Sequence, residues 1–143
     1  IGNQRTYPKG YCWIIADTDT AKSKKVQDAV TKGLGYGINF AFSFPCFETW
    51  LLFHYYELND IQINNPQCFN DLSSLYNELA RKVPGLKKGR TPEEGFFHLT
   101  DVARERAKAS DKDLKDSCPR YVTSRLYKLL DFFEDYAKQK LIL

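Results

Sequence analysis

Residues 11–22 read YCWIIADTDTAK, and the fold turns on how that stretch is parsed. Residues 11–16 are apolar, aromatic or β-branched and stop at Asp17, which is the composition of a short buried strand. A helical pattern follows over residues 22–33, with Val26, Ala29 and Val30 on one face and Gly33 and Gly35 to end it. Residues 38–44, INFAFSF, predict a second buried strand, and Pro45 stands where it can open a strongly apolar helix, PCFETWLLFHYYEL. Strand, helix, strand, helix with short links is the order that consecutive parallel strands require. The class is therefore α/β, a parallel sheet flanked by helices.

Past residue 60 the character changes. NDIQINNPQCFND is a polar loop, and LSSLYNELARKV, residues 72–83, has helical spacing at Leu72, Leu75, Tyr76 and Leu79. After the basic loop PGLKKGR comes TPEEGFFHLTDVARERAKA, with Thr91 as N-cap, Pro92 at N1 and Glu94 at N3, a capping box. A last helix over residues 120–140 repeats apolar residues at Val122, Leu126, Leu129, Leu130 and Phe133. The C-terminal half is thus helical. With no linker or repeat, residues 1–143 read as one domain, an α/β core at 11–58 joined to a helical part at 70–143.

Composition narrows the function classes. A chain of 143 residues with 43 % hydrophobic content can bury one core. No apolar run approaches the roughly 20 residues that cross a bilayer, and the opening IGNQRTYPKG is not a signal peptide. A cytoplasmic location is expected. Cys12, Cys46, Cys68 and Cys118 include no CxxC pair, and His54 and His98 are far apart, so reduced structural thiols are favoured over a zinc site. The absence of any Met, even an initiator, points to a processed N-terminus or to a piece of something longer. A net charge of +3 is too mild to establish a nucleic-acid partner, and local clusters carry more information.

Asp17 and Asp19 stand where a parallel sheet gathers its ligands, at the end of a strand before a helix. Alternation sends both side chains to one side while the chain stays extended. Two converging carboxylates repel unless a cation lies between them, and Mg²⁺ typically uses one or two carboxylates with waters and a substrate phosphate. The alternative is local: aspartates before a helix cap it and make turns. Glu48, early in the helix after Pro45, faces the same sheet edge and is a third candidate carboxylate, although Glu also favours a first helical turn through the dipole. Phe47, Trp50, Leu51 and His54 make an i, i+3, i+4, i+7 stripe, which is core packing, and His54 reads as a structural histidine rather than a base.

WIIADTD, followed about 25 residues later by SFPCFETWLLFHY, resembles the RloB family, Toprim-like proteins of bacterial restriction and anti-phage loci. The family pattern is a strand ending in Asp-x-Asp, then Ser-Asn-Pro-x-Phe-Glu-x-Trp-Leu-Leu-x-His. Ser43, Pro45, Cys46, Phe47, Glu48, Trp50, Leu51, Leu52 and His54 match it, while Phe44 replaces the asparagine. Weaker echoes continue in Lys87 or Lys88 and in CPRYVTSRLYKLL, so that the resemblance spans most of residues 11–130. It implies a Toprim-like sheet in which Asp17 and Asp19 hold Mg²⁺ or Mn²⁺. Toprim domains add a glutamate from an early strand; nothing strand-like precedes Tyr11, so that strand is expected to be missing from this sequence.

Arg81, Lys82, Lys87, Lys88 and Arg90 occur within residues 81–90 without an acid, with Gly85 and Gly89 among them. Such a patch beside a metal site suits phosphate-backbone binding, though a charge run is also ordinary solvated surface. Arg104, Arg106 and Lys108, with Asp101 and Glu105 among them, read as an exposed helix face. The expected activity is metal-assisted phosphodiester cleavage of nucleic acid, RNA such as tRNA favoured, with Glu48 assisting and Lys88 or Lys87 stabilising developing charge. The resemblance also implies a possible ABC-type ATPase partner. A non-catalytic binding or regulatory subunit of such a defence complex is the alternative.

Overall fold

The computed structural model describes residues 11–18, 23–64, 69–83, 85–86, 98–112 and 114–141. The elements are β1 (Cys12–Asp17), α1 (Lys24–Gly35), β2 (Ile38–Phe44), α2 (Glu48–Phe53), α3 (Leu58–Asn64), α4 (Leu72–Lys82), α5 (Thr100–Ser110), β3 (Thr123–Ser124) and α6 (Leu126–Leu141). Strands β1 and β2 are parallel, in register from Cys12 opposite Ile38 to Asp17 opposite Ser43. β3 joins the far side of β2 antiparallel, with Ser43 opposite Ser124 and Phe44 opposite Thr123. The class is α/β with a helical C-terminal half, as expected, but the small sheet is mixed rather than all parallel.

The crossover between β1 and β2 follows local rules. Ser23 caps α1, its hydroxyl accepting from the Val26 N–H at 3.3 Å. Gly33 does not end the helix as its sequence position suggests. It lets α1 approach β2: a Cβ there would lie 2.7 Å from the ring of Phe40. The helix runs on to Gly35, and Gly37, with φ of 80°, turns the chain into β2.

Three further boundaries differ from the sequence reading. Pro45 follows a cis peptide bond, and α2 starts only at Glu48. Part of the supposed polar loop after residue 57 coils into α3, its Ile61 buried. The last helix begins at Leu126 because Thr123 and Ser124 are taken up by pairing with β2. The capping box at Thr91, Pro92 and Glu94 lies outside the described residues.

Three apolar clusters hold the elements together. Cys46 and Leu52 pack with Ile61, Leu75, Leu79 and Val83. Trp50 and Phe53 pack with Ala103, Ala107 and Tyr127. Val30 and Phe42 pack on the α1 side of the sheet with Ala16, Val26, Phe40 and Cys118. The short helix α2 thus serves two clusters from opposite faces, which explains its near-continuous apolar run. β1 is less buried than its sequence suggests. It has one neighbouring strand among the described residues, and Ile14 and Ile15 are exposed while Tyr11 and Trp13 stack edgewise or tilted on Phe132 of α6.

A buried polar knot fastens β3. Arg125, 2 % exposed, donates to both Asp111 oxygens at 3.0 and 3.1 Å and to the carbonyl of Ser117 at 3.1 Å. The Tyr127 hydroxyl adds a 2.8 Å bond to the same carboxylate. Among the described residues no helix is long and apolar enough to cross a membrane.

Candidate functional site

The carboxyl ends of β1 and β2 form the rim to which the sequence assigns chemistry. Asp17 is the last residue of β1 and half-buried. The register places Asp17, Ser43 and Ser124 side by side across three strands. Ser43 and Ser124, both buried, share a 2.8 Å hydroxyl–hydroxyl bond. Partners in register point to one face, so the Asp17 carboxylate shares its face with this hydroxyl pair. The Thr18 N–H donates to the Ser43 carbonyl at 3.0 Å, extending the parallel ladder one residue past the strand.

Glu48 reaches this rim through the tight connection at Pro45, Cys46 and Phe47. It opens α2 and is half-buried. Cys46 is buried in this turn. Burial, the hydrogen bond its thiol makes to the Glu48 side chain, the Glu48 charge and the Asp17 charge together push its pKa up to about 12. The Cys46 thiol stays protonated, with Glu48 the nearer and stronger of the two charges acting on it. Thr49, fully buried, donates to the Phe44 carbonyl at 3.3 Å and holds α2 against the end of β2.

The donor set is made of hard oxygens: two carboxylates and hydroxyls, with the single nearby sulfur kept as a neutral thiol. That chemistry suits Mg²⁺ or Mn²⁺ and disfavours zinc. Among the described residues no three of His, Cys, Asp and Glu group closely enough to hold a metal ion by themselves. A magnesium site that uses one or two protein carboxylates needs no such triple. Asp19 lies outside the described residues, as do Lys87, Lys88 and Arg90.

Arg81 and Lys82, the described part of the basic patch, sit in the last turn of α4. Arg81 is exposed and pairs with Glu78, while the Lys82 ammonium lies 5.0 Å from the centre of the Tyr56 ring. Leu79 and Val83 of this helix end share the cluster of Cys46, which packs the end of α4 against the turn that leads into α2.

Other charged residues are structural. His54 is buried, its Nδ1 is 3.0 Å from the Trp50 carbonyl, and burial holds its pKa below the usual histidine value. Arg104 pairs with Asp131 and Glu134, and Lys108 with Asp131 at 3.2 Å, tying α5 to α6. Arg106 donates to the Phe53 carbonyl at 2.9 Å. These cations join helices rather than lining a free face.

On the α1 side of the same rim a cleft of about 500 Å³ opens between Thr18, Gln27, Val30, Thr31, Phe44 and the segment from Asp116 to Arg120. Sequence reasoning missed this cleft, and it missed Ser124 and Arg125. Their only signal is the placement of Thr and Ser just before an apolar helix, which reads as capping.

The model of the RloB-like protein family matches residues 2–132. The chain belongs to the RloB-like family. No curated protein and no solved structure matches this RloB-like chain. The matched span takes in β1, α2 and the rim between them.

Proposed function

We propose that this RloB-like chain is a metal-dependent phosphodiesterase that cuts nucleic acid, RNA such as tRNA favoured, in bacterial anti-phage defence. The reading takes the sheet as Toprim-like. The observation that supports it is the register that sets Asp17 beside Ser43 and Ser124 at the carboxyl rim of the parallel strands, with Glu48 opening the helix that follows β2. Asp17 with Asp19 would hold Mg²⁺ or Mn²⁺. Bound there, the ion would polarise the scissile phosphate and lower the pKa of an attacking water or hydroxyl. The Glu48 carboxylate, oriented by the Cys46 thiol, accepts the proton that the nucleophile sheds. Lys88 or Lys87 stabilises charge developing on the phosphate, and Arg81, Lys82 and Arg90 bind the flanking backbone. An ABC-type ATPase is the proposed partner that restrains or triggers the cut.

The test is incubation of the full chain with tRNA and with plasmid DNA, in Mg²⁺ or in EDTA. Cleavage that needs Mg²⁺ and falls at least a hundredfold in Asp17→Ala is expected. No Mg²⁺-dependent cleavage, or equal cleavage by Asp17→Ala, overturns the reading and leaves a non-catalytic subunit of a defence complex.

A further inference from the structure

Thr18 stands apart from every other buried polar group described. Its residue is 3 % exposed, and its Oγ1 has no hydrogen-bond partner among the described residues. A buried hydroxyl without a partner is rare in a folded protein, and its usual explanation is a ligand or water that completes it. Alternation along β1 sends Thr18 to the face of Ala16, which packs on α1, and there it lines the 500 Å³ cleft.

The walls of that cleft indicate what it takes. Val30, Phe44 and Pro119 give apolar surface, with Phe44 on the sheet face of the stacked Phe40 and Phe42 rings. Thr18, Gln27 and Ser117 supply groups that can both donate and accept. Among the described residues the charged lining is Asp116 and Arg120, and these pair with each other at 2.7 Å. Burial pushes the pKa of the Cys118 thiol up. A lining with apolar walls, amphoteric hydrogen-bonding groups and no net charge suits a neutral, flat, hydrogen-bonding group rather than a phosphate or a cation. A nucleobase has that chemistry, and base-on-aromatic stacking is a common way to hold one.

We propose that the cleft between α1, the end of β2 and residues 116–120 is a nucleobase pocket, in which a base unstacked from the substrate lies against Phe44 and is read by the Thr18 hydroxyl and the Gln27 amide. The proposal names the substrate contact of the nuclease read above and rests on that reading for its biological ligand. Thr18 follows Asp17 directly, so the cleft opens at the same rim, on the opposite face of the sheet from the Asp17 side chain. Phe44 occupies the position where the family motif has asparagine, so this chain offers a stacking surface there in place of a polar contact.

The test uses the full chain in EDTA, titrated with AMP, GMP, CMP and UMP and with ribose 5-phosphate as the base-free control. At least one mononucleotide is expected to bind in the millimolar range or tighter, and ribose 5-phosphate at least tenfold more weakly. Thr18→Val should weaken the mononucleotide about five- to tenfold, the size of one lost hydrogen bond, while the variant melts no lower than the wild type. Phe44→Leu, which keeps the apolar volume and removes the ring, should weaken it similarly. Absence of mononucleotide binding, equal binding of ribose 5-phosphate, or unchanged affinity in Thr18→Val overturns the pocket. A parallel Mg²⁺ assay on oligonucleotides separates the two claims. Cleavage without mononucleotide binding sinks the pocket and keeps the nuclease. Mononucleotide binding that Thr18→Val weakens, without any cleavage, does the reverse.

Discussion

Replacing Asp111 with Asn changes almost no volume but strips the charge from the partner of a buried guanidinium. Arg125 and Asp111 are both nearly inaccessible, joined by two bonds of 3.0 and 3.1 Å, with a third from Tyr127 at 2.8 Å. Solvent cannot screen what remains. Breaking a buried pair by removing one charge costs roughly 3–5 kcal/mol, because the surviving ion stays desolvated. The chain is of a size whose whole stability is about 5–15 kcal/mol. With a urea dependence of roughly 2 kcal/mol per molar, the unfolding midpoint of Asp111→Asn should fall by about 2 M. The matched control is the double variant Asp111→Leu with Arg125→Met, which removes both charges and should recover most of that loss. Urea titration followed by circular dichroism reads both. A loss below about 1 kcal/mol in Asp111→Asn, or a double variant as unstable as the single one, would refute the account of Asp111 as the charge that neutralises the buried guanidinium.

Three further outcomes follow from the packing and the electrostatics. Gly33→Ala should destabilise by about 1–3 kcal/mol despite its better helix propensity, since the new methyl meets the Phe40 ring at 2.7 Å; Phe40→Leu in the same chain should restore part of the loss in a thermal melt. Glu134, held down to about 2 by hydrogen bonds to Lys138 and then Arg104, has a folded pKa below its unfolded value of 4.5. Its contribution to stability is present above pH 4.5 and lost between about pH 4.5 and 2, and Glu134→Gln should flatten the pH dependence of the melting temperature in that window. The Cys46 thiol, raised to about 12, should resist iodoacetamide in the folded protein at pH 8, and Glu48→Gln should speed its alkylation by removing the charge that opposes the thiolate.

Much of the fold was legible because local signals and packing agreed. The apolar runs at 11–16 and 38–44 sit on either side of an amphipathic helix, and that order dictates a parallel pair whatever the details. The motif around Glu48 likewise led to the family that the chain proves to belong to. What stayed hidden depends on partners distant in sequence. Thr123 and Ser124 look like a helix N-terminus and become a strand only because the end of β2 offers them a ladder. Gly33 looks like a stop signal because the ring that demands a glycine there comes seven residues later on another element. Arg125 gives no hint of burial, since a charged residue enters a core only when a specific carboxylate waits there, and Asp111 is not near it in the chain. Exposure of Ile14 and Ile15 was equally unreadable, because an edge and a central strand share one composition.

Ser43 and Ser124 stand 81 positions apart. Closing so long a loop is entropically slow, and it comes after the nearby contacts that reward the chain earlier. A ribosome finishes β1, α1, β2 and α2 well before Ser124 leaves it. The rim beside Asp17 therefore waits, unfinished, for the C-terminal helices to emerge and dock.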